Sequence, residues 1–100
     1  MQAQEIIETV EGGEASEEDY TRAIQAAINS GMWGLQGSYG RAMMEAIEAG
    51  YCALGSLPSR DYWGNRIPSR DEVEAGTKGS VEFVGEHSPF GGVLDPDPIV

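Results

Sequence analysis

The chain has 100 residues and a formal charge of −11, from 17 acidic and 6 basic side chains, with one cysteine and one histidine. That length confines it to one domain, that charge excludes a basic nucleic-acid binder, which must release counterions from phosphates, and no apolar run approaches the roughly 18 residues of a membrane span. Cys52 alone excludes an internal disulfide framework and a Cys-rich zinc site, and MQAQEIIETVEGGE lacks the basic and apolar regions of a secretory signal.

Residues 1–20 carry Glu5, Glu8, Glu11, Glu14, Glu17, Glu18 and Asp19 and no basic residue, a net −7. Within them Ile6, Ile7 and Val10 take the i, i+3, i+4 spacing of an amphipathic helix that ends at Gly12-Gly13. Ser16 suits an N-cap, since its hydroxyl accepts a free N–H of the first turn. Glu17, Glu18 and Asp19 follow where the positive end of the helix dipole favours them. A second helix is predicted over about 17–29, with Tyr20, Ile24, Ala27 and Ile28 as its apolar stripe and Gly31 as its left-handed cap.

Glycine then recurs every third residue, at Gly31, Gly34, Gly37 and Gly40, without the proline or length of a collagen tract. The pattern predicts a compact turn into a third helix, capped by Ser38 and running to about Ala49. Tyr39, Met43 and Ile47 form its stripe, with Ala42 and Ala46 one face over. Gly40 would let a neighbouring helix approach, Gly50 would end the helix, and Tyr51, Ala53, Leu54 and Leu57 would fold back over the core. Trp33, flanked by helices, is expected in that core. The helix–turn–helix order invites a DNA-reading module, but the last helix sets only Arg41 against Glu45 and Glu48, so an ordinary helical hairpin is the better reading.

Residues 21–70 are slightly basic, at +2, and residues 71–100 return to −6. After residue 55, five prolines and six glycines leave no room for a helix of ordinary length. One helical turn over Asp71–Ala75 and a short strand at Val81-Glu-Phe-Val84 are expected. Leu57-Pro-Ser-Arg-Asp61 returns ten residues on as Ile67-Pro-Ser-Arg-Asp71. Two similar turns account for the echo. A paired docking motif, spanning about 33 Å if extended, is the functional alternative.

Catalytic and metal chemistry find little purchase. Cys52 and His87 are each single and lie in different surroundings, so a nucleophile–base pair is not expected. The acidic residues match no calcium loop. Gly76-Thr-Lys-Gly-Ser80 places Lys before Gly rather than after it, which departs from a phosphate loop, although its backbone could hold an anion. The strongest interaction signal is Arg60, Tyr62, Trp63, Arg66 and Arg70, five residues within eleven of the types that dominate interface hot spots. The competing reading packs Tyr62 and Trp63 into a core that a short chain struggles to fill.

The stretch Leu35-Gln-Gly-Ser-Tyr-Gly-Arg41, followed by Ile47-Glu-Ala-Gly50, resembles a family of short acidic proteins encoded by phages of mycobacteria and related actinobacteria. Asp61-Tyr-Trp-Gly-Asn65, Ile67-Pro-Ser-Arg-Asp-Glu-Val73 and Gly76-Thr-Lys-Gly-Ser80 are similar to that family's second half. The resemblance spans about 19–84. It implies a phage source and the cytoplasm of the infected bacterial host; the family has no assigned activity, so it implies no mechanism.

These readings predict a mainly α fold: a small three-helix domain over 1–55, an extended Arg/aromatic arm over 56–87 with room for a short β-hairpin, and a flexible tail over 88–100. The expected function is that of a non-enzymatic phage accessory protein that binds and modulates a host bacterial protein, with no catalytic residue, cofactor or metal. Arg60, Tyr62, Trp63, Arg66 and Arg70 form the expected partner-binding segment. Glu14, Glu17, Glu18 and Asp19 form the expected acidic surface, which would steer the chain toward a basic partner. Two alternatives remain open: an acidic nucleic-acid mimic, which needs both acidic flanks on one stripe, and a minor virion or assembly component. Membrane and direct nucleic-acid binding are not expected, and the oligomeric state is left open.

Overall fold

A computed structural model describes residues 1–34 and 37–95. The fold is mainly helical, with α1 over Ala3–Gly12, α2 over Glu17–Asn29, a 3₁₀ turn over Met32–Gly34, α3 over Gly37–Glu48, strands β1 (Ser59–Arg60) and β2 (Arg66–Ile67), and α4 over Val81–His87. The expected short hairpin is present: β1 and β2 pair antiparallel, Ser59 opposite Ile67 and Arg60 opposite Arg66.

The central element is α2. Ser16 caps it, its Oγ accepting the Asp19 N–H at 3.1 Å. Past Ser30 the chain turns at Gly31, whose φ is +72°. Seven of its thirteen residues are buried, including Thr21, Ala23, Gln25 and Ala26 beside the expected Ile24, Ala27 and Ile28. Tyr20, expected in the stripe, is instead partly exposed. A helix buried on so many sides needs several partners, and α1 and α3 supply two of them. Ile6 of α1 is fully buried, with Ile7 and Val10 packed beside it. Tyr39, Met43 and Ile47 of α3 join the core, as does Trp33. A groove lined by Glu17, Tyr20, Ala49 and Tyr51 brings the start of α2 to the end of α3, so the two run antiparallel.

The third partner of α2 is the segment Cys52–Gly55, buried throughout. Gln25, fully buried, clasps its backbone: Nε2 donates to the Ala53 carbonyl and Oε1 accepts the Ala53 N–H, both at 2.9 Å. The amide thus does what a neighbouring strand would do for a segment that has none. The network continues outward. Gln25 Nε2 also donates to Asn29 Oδ1 at 3.1 Å, and Asn29 Nδ2 donates to Asp95 Oδ1 at 2.9 Å.

Several expectations are corrected. Ser38 lies inside α3 rather than before it, and the residues preceding the helix fall outside those described. Among the described residues nothing lies within 4 Å of where a Gly40 side chain would begin, so no helix of this chain uses the space. Leu57 is 77% exposed instead of covering the core, because the chain leaves the core after Gly55 to build the hairpin. Asp71–Ala75 forms turns without a helix. Val81–Val84 begins helix α4 instead of a strand. The cause is Ser80, whose Oγ accepts the Phe83 N–H at 3.2 Å and caps the turn. Phe83 and His87, four residues apart, then stack on each other at 4.1 Å and pack on Gly50. A Cβ at Gly50 would lie 2.5 Å from that of His87, so a glycine with φ +81° is what lets α4 close over the end of α3.

The glycine-rich turn before α4 ties several of its own polar groups together. Ser80 Oγ also accepts the Gly76 N–H, and the Gly79 carbonyl accepts the Leu54 N–H at 3.0 Å. The tail from residue 88 is docked as far as Asp95: Phe90 meets Tyr51 edge to face, and Asp95 joins the Asn29 network. The expectation of flexibility over 96–100 lies outside the described residues. Among the described residues no helix is long and apolar enough to cross a membrane.

Candidate functional site

The hairpin tip is organised by Asp61. Its Oδ1 accepts the N–H groups of Trp63 and Asn65, at 2.9 and 2.8 Å, and its Oδ2 accepts the Asn65 side-chain amide at 3.2 Å. Its own N–H reaches the Asn65 carbonyl, and its carbonyl accepts the Gly64 N–H. Local desolvation opposes the charge, but the donors of Asn65, Trp63 and Gly64 outweigh it and hold the carboxyl below its ordinary value. One short aspartate therefore closes the turn and fixes the direction of the two residues after it.

Those residues are Tyr62 and Trp63. Their rings meet edge to face at 5.4 Å, and they are 60% and 67% exposed. Of the two readings open at this segment, core filler or exposed anchor, the geometry is that of exposed aromatics. Trp63 leans on the start of α3, where a Cβ at Gly37 would lie 3.4 Å from its Cη2 and 3.5 Å from Arg41 Nη1. Between hairpin and helix is a shallow apolar groove of about 200 Å³, lined by Trp33, Gly40, Arg41, Met44, Asp61, Trp63 and Ile67.

The three arginines of the segment have different fates. Arg60 and Arg66 are cross-strand partners, so their side chains leave the same face of the hairpin. Like charges so placed repel, and each has relief. Arg60 Nη1 donates to the Gly64 carbonyl at 3.0 Å, and Arg66 pairs with Glu72. The Ser69 N–H first, and then Arg66, keep the Glu72 carboxyl below its ordinary value. Arg70 turns inward. Its Nε donates to the Leu54 carbonyl at 2.7 Å, and Nη1 and Nη2 grip both oxygens of Asp95 at 3.1 and 3.0 Å. Its guanidinium is therefore a tie between the core segment and the docked tail, not a surface offered to a partner. The Arg70 pairing, against partial desolvation and with help from Asn29, holds the Asp95 carboxyl low.

The echo in sequence does not place two equivalent motifs. The chain doubles back between the copies, since Ser59 faces Ile67. Leu57 and Arg60 of the first copy are exposed, whereas Ile67, Ser69 and Arg70 of the second line the interior or tie into it. The extended span of a paired docking motif is not adopted.

The expected acidic surface is divided. Glu14 and Asp19 line a groove between α1 and α2 together with Arg22. Glu17 lines the groove on the α3 side, opposite Glu45. Glu18 and Asp19 both pair with Arg22, at 3.5 and 3.2 Å. The C-terminal flank is divided as well. Glu72 and Asp95 are paired with arginines, and Asp95 sits at the Asn29 end of α2, about 18 Å along the helix from Glu17. Glu82 and Glu86 ride on α4, at the end of α3 that adjoins Glu17. The molecule thus has an acidic end, where α4, the start of α2 and the end of α3 gather, and an Arg/aromatic end at the hairpin and the start of α3.

Cys52 is fully buried, its Sγ near the Thr21 carbonyl at 3.6 Å, and burial, then Asp95, push its thiol up to about 12. Such a thiol stays protonated at neutral pH. The exposed His87 instead meets the Phe83 carbonyl with Nδ1. Among the described residues no group of three or more His, Cys, Asp or Glu is placed to hold a metal ion. Sequence reasoning missed the groove beside Trp63, Met44 and Arg41 in particular. A glycine left open on an otherwise amphipathic helix was the available signal. No family model, curated protein or solved structure matches this chain.

Proposed function

We propose that this chain is a non-enzymatic accessory protein of a phage that binds a host bacterial protein and modulates it, with the hairpin tip as its anchor. The observation that carries the reading is the Tyr62–Trp63 pair: two large aromatic rings, more than half exposed, on a turn held rigid by four hydrogen bonds to Asp61. An exposed tryptophan on a rigid support loses little conformational freedom on binding, and such residues supply most of an interface's energy. Arg60 and Arg66 beside it add planar donors for carboxylates or aromatic faces. The acidic opposite end, in a chain of −11, favours encounter with a basic partner surface and orients the approach. The phage setting rests on the family resemblance at Leu35–Arg41 and Asp61–Val73.

The test is affinity capture from infected host cells with the intact chain and with Trp63→Ala, read by mass spectrometry. Capture of one host protein should be lost in Trp63→Ala, with helical circular dichroism unchanged. Retention of the same partner by a folded Trp63→Ala variant would refute the anchor. Capture of a nucleic-acid-binding enzyme in competition with DNA would favour mimicry. Recovery of the chain in purified particles would favour a virion component.

A further inference from the structure

We infer that the groove between the hairpin tip and the first half of α3 receives a partner segment that places a large apolar side chain next to a carboxylate. This deepens the proposed function and rests on it. Three observations converge. The first is size and lining: about 200 Å³ walled by Trp33, Met44, Trp63 and Ile67. Pockets for drug-sized molecules run to about 300–1,000 Å³, so this one fits a single side chain.

The second is Gly40. Glycine inside a helix is less stable than alanine there, since it exposes backbone and orders a freer chain. Among the described residues no neighbour occupies the space it leaves. That space opens into the groove, so the missing side chain lowers the floor for something outside this chain.

The third is Arg41. Among the described residues Arg22, Arg66 and Arg70 each pair with a carboxylate, whereas Arg41 has no ion pair in a chain with 17 acidic residues. Its guanidinium stands on the groove's rim beside the Trp63 ring. Arg60, with one nitrogen on the Gly64 carbonyl, keeps further donors on the exposed hairpin. Asp61, the acid on the same rim, has its oxygens turned to the N–H groups of its own turn. The local field at the groove therefore invites an anion, and a planar guanidinium next to an indole suits a carboxylate on a segment that also buries an apolar side chain. The −11 body repels acidic partners at long range, so this pair acts after encounter, on the dissociation rate.

The experiment selects random displayed dodecapeptides on the immobilised full chain and measures the enriched synthetic peptides by calorimetry. Enriched sequences should carry Asp or Glu within three positions of Leu, Ile, Met or Phe. Their affinity should fall at least tenfold against Arg41→Glu and against Gly40→Leu, which fills the groove while improving helix propensity, and neither variant should melt below the parent. Enrichment of basic peptides, no enrichment, or binding indifferent to Arg41→Glu and Gly40→Leu would overturn the inference. So would concentration-dependent self-association abolished by the same substitutions, which would assign the groove to a second copy. If Trp63→Ala loses the host partner and Arg41→Glu keeps it, this inference fails alone. If folded Trp63→Ala keeps the partner, the proposed function fails with it.

Discussion

Replacing Gln25 by leucine tests how the core segment is held. The Gln25 amide is fully buried and makes two 2.9 Å hydrogen bonds to the N–H and carbonyl of Ala53, itself fully buried. Leucine has a similar volume, so the change opens no large cavity, but it strands both backbone groups of Ala53. Each buried unsatisfied group costs about 1–3 kcal/mol, and the apolar side chain recovers about 1.5–3 kcal/mol by its burial. The mid-range difference is a net loss of about 2 kcal/mol, against a total stability of about 5–15 kcal/mol for a domain of this size. At about 4–8 °C per kcal/mol the melting temperature should fall by about 8–16 °C. Urea denaturation at unchanged m-value measures the loss, and hydrogen exchange should show Ala53 losing protection ahead of the helices. A loss under about 1 kcal/mol, with Ala53 still protected, would mean that the 52–55 segment is anchored by something other than this amide.

Three further outcomes follow from the geometry. Gly40→Ala should raise stability by about 0.5–1 kcal/mol, since the added methyl meets nothing and the helix gains propensity; a loss in urea melts would show that the position is constrained. Gly50→Ala should cost about 2–4 kcal/mol, combining a left-handed φ with a collision on His87, and NMR shifts of Phe83 and His87 should report α4 displaced; unshifted resonances would contradict the packing. The Asp95 carboxyl is held below its ordinary value of 3.8, chiefly by Arg70. Its contribution is therefore complete above that value and is lost as pH falls through the lower, folded one. Docking of residues 88–95 should loosen below about pH 4, read from the Asn29 side-chain amide resonances, and Asp95→Asn should abolish that transition; a tail indifferent to both would sink the Arg70 tie.

Local chemistry made much of the fold legible. Ser16, the acids after it, Gly13, Gly31 and Gly50 bound the helices because caps and left-handed turns depend on the residue itself and its near neighbours. The sequence allows a short hairpin within 56–87, and the structure places it at Ser59–Ile67. The four apolar and acidic residues of Val81–Val84 fit either a strand or a helix by themselves. Ser80 and the glycine platform at residue 50 settle the matter in favour of a helix. The candidate site was legible as a list of residue types and not as a surface.

The segregation of charge, the three main helices and the presence of an Arg/aromatic segment follow from composition, periodicity and capping, which act over a few residues. Which way each residue of that segment faces depends on how the chain packs. Arg60 and Arg70 stand in the same Pro-Ser-Arg-Asp context, yet one remains on the exposed hairpin and the other crosses to the Leu54 carbonyl and Asp95. Gln25 carries no signal in the sequence that sets it apart from other polar helix residues, and packing makes it the clasp of the core. In each case the deciding partner lies between 16 and 28 residues away in the chain, and a hydrogen bond closed over that distance exists only once the helices have packed.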